Sequence, residues 1–128
     1  MPVVAVQVPT NASFPSGSEV VRIQYELGRL EIHVRAMRDK HEATVSFACV
    51  EAFRVMDERD LMDFWPTCST PNGWLFEVAT GGWLSQEAER PGSLVAHTIQ
   101  GVREFLITGE DDCVSVLSVE LPVVIIKE

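Results

Sequence analysis

With 128 residues, 46% of them hydrophobic and 23% charged, the chain has the size of one domain, residues 1–128, and can bury a core without metals or disulfides, which argues against disorder over most of its length. The formal charge is −9, with 7 basic against 10 acidic side chains in residues 1–64 and 3 against 9 in residues 65–128; so acidic a chain is a poor nucleic-acid binder, because that affinity comes from Lys and Arg displacing counterions. Cys49, Cys68 and Cys113 are odd in number and lack Cys-x-x-Cys spacing, as expected of free thiols in a reducing cytoplasm; no run approaches the ~20 apolar residues of a membrane span, and Met1–Val8 has no basic flank to make it a signal peptide.

Along the chain, Val3–Val8 is a short β-branched run that predicts a strand, and residues 9–18, rich in Pro, Ser, Asn and Gly, predict a loop. From Glu19 to Met37 the alternation is clear. Val21, Ile23, Tyr25 and Leu27 alternate with polar residues, and after Gly28-Arg29 so do Leu30, Ile32, Val34 and Ala36. Gly28 at the first turn position predicts a type II′ hairpin that pairs Leu27 with Leu30, Tyr25 with Ile32 and Ile23 with Val34. That register sets Glu26 against Glu31 and Arg22 against Arg35. Like charges face to face are unfavourable, so the hairpin needs diagonal compensation, or a wider or bulged turn.

Thr44–Met56 reads as one long extended run, interrupted in its apolar set by Glu51. A β-bulge near residues 50–52 would turn Glu51 outward and is the favoured reading; without it Glu51 would be a buried carboxylate and a functional candidate. Asp57 is placed to cap a short helix whose Leu61, Phe64 and Trp65 share a face and which Pro66 stops. Trp74–Thr80 alternates, with Trp74, Phe76 and Val78 on one side. Gly81-Gly82 then predicts a hairpin turn, with Trp83–Glu89 as the return strand. Leu94–Gln100 is ambiguous between helix and strand. Arg103–Thr108 and Cys113–Leu121 flank Gly109-Glu110-Asp111-Asp112 as a second hairpin, and after Pro122 the run Val123–Lys127 reads as an edge strand.

Little in the chain resembles reaction chemistry. His33, His41 and His97 lack metal-ligand spacing, and no metal or other cofactor is expected. Cys49 and Cys113 sit in apolar runs and read as inert core thiols, whereas Cys68 lies in a loop where it could be exposed, though no base is identified for it. Glu110, Asp111 and Asp112 read as a hairpin tip or as an acidic knob for a basic partner. Trp65, Trp74 and Trp83 are core residues or, where partly exposed, interface anchors.

Residues 51–121 carry a set of distinctive words: Phe53-Arg54-Val55-Met56-Asp57, Phe64-Trp65, Gly73-Trp74-Leu75-Phe76-Glu77-Val78, Gly81-Gly82-Trp83-Leu84 and Arg103-Glu104-Phe105-Leu106-Ile107-Thr108-Gly109-Glu110-Asp111-Asp112-Cys113-Val114. In these the chain resembles a group of small bacterial β-rich proteins without assigned activity. Such proteins look like members of polymorphic toxin neighbourhoods, where small acidic β-rich proteins act as immunity factors. The resemblance implies a toxin-binding role and offers no catalytic residues.

The expected fold is therefore mostly β: a curved antiparallel sheet or a β-sandwich with one or two short helices, one of them covering an open end, with a mixed α+β arrangement as the alternative. The expected function is non-enzymatic binding, in the form of an immunity-type inhibitor that meets a basic toxin through an acidic, aromatic-containing surface in the cytoplasm. Two alternatives stand beside it: a small-molecule-binding β module with Trp65, Trp74 and Trp83 lining a pocket, and an enzyme using Glu51 or Cys68. The apolar edge strand leaves homodimerisation open.

Overall fold

The computed structural model describes residues 2–127. Among these, alternation of polarity becomes nine strands: β1 (Val4–Gln7), β2 (Ser18–Glu26), β3 (Arg29–Ala36), β4 (Glu42–Phe47), β5 (Val50–Asp57), β6 (Leu75–Thr80), β7 (Arg103–Ile107), β8 (Asp112–Ser118) and β9 (Val123–Lys127). They form two antiparallel sheets, one ordered β1-β6-β7-β8-β5 and the other β2-β3-β4-β9. Three short helices accompany them: α1 (Trp65–Cys68), α2 (Trp83–Ala88) and α3 (Leu94–His97). The mostly β expectation holds, and neither sheet closes into a barrel.

The principal core lies between the sheets. Leu30, Ile32 and Val34 of β3 and Ala43, Val45 and Phe47 of β4 meet Leu75, Phe105, Ile107, Val114 and Val116 of the five-stranded sheet. The Phe47 and Phe105 rings lie 5.6 Å apart. Full burial of each such side chain contributes ~1.5–3 kcal/mol, which makes this layer the main source of stability. Residues 9–18, read as a loop, do more than connect: Ser18 already opens β2. Ala12 and Phe14 are buried in the same core, the Phe14 ring stands edge-on to Trp74 at 4.9 Å, and the Trp74 indole N–H donates to the Ala12 carbonyl at 3.1 Å.

The five-stranded sheet is covered on its other face too. Phe76, Val78, Leu106 and Cys113 pack there against Leu61, Phe64, Cys68 and Val3. Burial on both faces explains why β7 and β8 are buried at every position but their first, Glu104 and Ser115 included. It also relocates the helical cover, which lies on a sheet face and not over an open end.

Several local expectations are corrected. The β2–β3 turn is Leu27-Gly28, with φ of 48° and 87°, so Glu26 opposes Arg29, Tyr25 opposes Leu30 and Ile23 opposes Ile32. A register shift between Val20 and Arg22 then sets Glu19 against Arg35, whose Nε donates to it at 2.9 Å. Opposite charges replace the expected conflict. Thr44–Met56 is two strands in different sheets, parted at Ala48-Cys49. The bulge around Glu51 is present, between Val50 and Ala52. Asp57 caps only a 3-10 turn, Glu58–Leu61, through the Arg59 N–H, and Pro66 opens α1, where its missing N–H costs nothing. Trp83–Ala88 is helical rather than a return strand. Cys49 is exposed and Cys68 is buried, the reverse of their expected settings.

Candidate functional site

The Gly109–Asp112 tip joins β7 to β8, and two backbone hydrogen bonds fix it. Glu110 N donates to Ser18 O at 2.8 Å, and Glu58 N donates to Asp111 O at 2.9 Å. Asp111 sits at φ 70°, a conformation that Asp tolerates better than most residues. β5 runs beside β8 with Asp57 opposite Asp112, so the 3-10 turn after β5 lands next to the tip. Asp57, Glu58, Asp60, Glu110, Asp111 and Asp112 are thereby gathered at one end of the molecule. Within this group Arg59 pairs with Asp57 at 2.8 Å, and hydrogen bonds from its side chain and backbone hold the Asp57 carboxyl down at about 2. Among the described residues Glu110, Asp111 and Asp112 form no ion pair, and all three are exposed.

Beside the tip lies an open cleft of about 380 Å³, lined by Glu58, Trp65, Ser69, Thr70, Thr108 and Glu110. Trp65 is half-buried at its wall, with its indole N–H donating to Glu58 O at 3.0 Å. The structure therefore brings Trp65 and the Glu110–Asp112 knob together. It does not bring the other two tryptophans there. Trp74 is only 3% exposed and belongs to the core between the sheets. Trp83 begins α2, where the Arg54 guanidinium lies 4.6 Å from its ring centre.

Cys68 touches the same cleft, yet it is buried, and burial pushes its thiol up to about 12. A thiol so far from ionisation is a poor nucleophile. Glu51 is partly exposed at the β5 bulge and takes no buried role.

Among the described residues the buried carboxylate is Glu104, 1% exposed on β7. Its Oε2 accepts from Trp83 N at 3.0 Å and its Oε1 from Leu84 N at 2.8 Å, so it fills the N-terminus of α2 and satisfies two of that helix's free donors. Burial raises its pKa above the usual carboxylate value against the pull of those bonds and of Arg54. Arg54 Nε and Ser115 Oγ, opposite each other on β5 and β8, are buried with no protein partner among the described residues. Sequence reasoning chose Glu51 instead. The available signal was Glu104 sharing a strand face with Leu106 at the head of the apolar run Phe105-Leu106-Ile107, which marks an acid in a covered strand.

The described residues contain no group of three or more His, Cys, Asp or Glu placed to hold a metal, and no helix among them is long and apolar enough to cross a membrane. Compared with protein-family models, curated proteins and solved structures, the chain finds no match.

Proposed function

We propose that this chain is a non-enzymatic binding protein that engages a basic protein partner through its acidic end, in the manner of an immunity-type inhibitor of a bacterial toxin. The observation that carries the reading is that Glu58 and Glu110 line the cleft walled by Trp65, with Asp111 and Asp112 next to them on the same tip. Unpaired carboxylates on a rigid hairpin tip create a negative potential that steers a cationic partner, and a half-buried tryptophan beside them supplies apolar contact area. The three free cysteines support a reducing compartment such as the cytoplasm as the place of action.

Co-expression with a toxin encoded beside its gene tests the reading: rescue of growth and co-purification are expected, and absence of both overturns it. Lys substitutions at Glu110, Asp111 and Asp112 together should leave the fold intact and weaken the complex about tenfold, at roughly 0.5 kcal/mol for each exposed charge pair. A second reading, small-molecule binding, draws on the same cleft, whose size lies within the usual range for ligand pockets. It gains little from Trp74 and Trp83, which lie elsewhere.

A further inference from the structure

We propose that a second copy of the chain pairs with this one through β9, antiparallel and two-fold symmetric about Ile125, joining the two β2-β3-β4-β9 sheets into one continuous sheet. This goes beyond the acidic-end reading and rests on different residues.

The four sheet edges are not equally protected. An open edge is a template for another strand, and proteins blunt it with bulges, charges or shortness. β5 carries a register shift between Val50 and Ala52 together with Glu51, Arg54 and Asp57. β2 carries a shift between Val20 and Arg22 together with Glu19, Arg22 and Glu26. β1 has only four residues and shifts between Val4 and Ala5. β9 alone pairs with its neighbour in unbroken register, and it bears no charge before Lys127. Its outward side chains are large and apolar: Val123 is 57% and Ile125 59% exposed.

The pattern of β9 selects a second copy as the occupant. Two-fold pairing about Ile125 sets Ile125 against its own counterpart, Val124 against Ile126, and Val123 against Lys127. On β4, Ser46, Thr44 and Glu42 oppose Val123, Ile125 and Lys127. Across the joined sheet the outward rows become Ser46, Val123, Lys127 and Glu42 in one direction, and Thr44, Ile125, Ile125 and Thr44 through the centre. Each Lys127 keeps its own Glu42, 3.8 Å away, and no like charges meet. The inward row continues the core, because Val124 already packs against it. In a chain of charge −9, β9 carries no acidic residue, so pairing there brings no two carboxylates of this strand together. Pairing over five residues falls short of the ~1,600 Å² of a standard stable interface, so the expected dimer exchanges at micromolar concentration.

Light scattering coupled to size exclusion, run on the full chain over a concentration series, should show the mass doubling as concentration rises. I125K would set two lysines face to face on the two-fold axis and should abolish the dimer. V123E would set a carboxylate opposite Lys127 and should keep or tighten it. Both positions are exposed, so circular dichroism and melting, read at concentrations too low for the dimer, should be unchanged in each variant. Lys substitutions at Glu110, Asp111 and Asp112 should leave the dimer intact, which separates this proposal from the acidic-end reading. A monomer at every concentration overturns the proposal. So does a dimer that survives I125K, or one that V123E abolishes, since the last would mean apolar adhesion in some other register. A β9 that captures only a strand of a different protein overturns it as well.

Discussion

A thiol reacts as its thiolate, and burial determines how much thiolate exists. Burial pushes Cys68 up to about 12 and Cys113 to about 11, whereas Cys49 is exposed. An aromatic disulfide reagent at mildly alkaline pH should therefore titrate one thiol in the native protein and three after denaturation. Cys49→Ser should remove the native signal, and a second fast native thiol would contradict the assignment. Glu104 gives a pH signature of unusual sign. Because its folded-state pKa is raised, the unfolded chain loses this proton first as pH rises, so stability falls between the ordinary carboxylate value and the folded one. The melting temperature of the native protein relative to Glu104→Gln should be higher near pH 5 than near pH 8, and the opposite trend would refute the raised value. Glu104→Ala should cost about 1–3 kcal/mol at either pH by stranding the Trp83 and Leu84 N–H groups. The polarity around Cys49 and Cys68 did not reveal their burial, because each environment is set by segments distant in sequence: Cys49 lies where the chain changes sheets, and Cys68 is enclosed by β6, β7 and β1.

Strands were readable as elements both where their faces differ and where both are covered. β2, β3 and β9 fall where alternation puts them, β7 and β8 where apolar residues cluster on either side of a turn, and even the Glu51 bulge follows from one misplaced charge. Trp83-Leu84-Ser85-Gln86-Glu87-Ala88 was misread because nothing local identifies the carboxylate that nucleates it, which arrives from β7. Gly82 records that dependence. A Cβ there would lie 2.5 Å from Glu104 Oε2 and 2.9 Å from Val78 Cγ1. Gly82→Ala should undock α2 at a cost of about 1–3 kcal/mol, read as faster amide exchange across Trp83–Ala88. The β2–β3 turn gives the reverse case. Leu27 holds a positive φ and is 96% exposed, a conformation disfavoured for a branched apolar residue. Leu27→Asn suits a two-residue turn with both φ positive and should raise stability by about 0.5–1 kcal/mol in a denaturant titration.

At the scale of the molecule, one sheet serves two layers. It faces the second sheet on one side and the helical cover on the other, so changes in either layer reach β7 and β8. Phe14 shows how far the apparent loop is drawn in. Phe14→Ala should cost about 3–5 kcal/mol, as for any buried aromatic, and not the small loss of a surface change. The two-layer sheet was legible in outline from alternation, yet the assignment of strands to sheets was not, because pairing partners are chosen by packing across the whole chain. β4 is the sharpest instance. Between β3 and β9 it has one neighbour close in sequence and one that follows β5, β6, β7 and β8. During synthesis on the ribosome, therefore, β4 waits with a bare flank until almost everything after it has emerged. Such remote closure predicts slow refolding, on a scale of ~ms to s, and a half-built stage that aggregates unless a chaperone shields it.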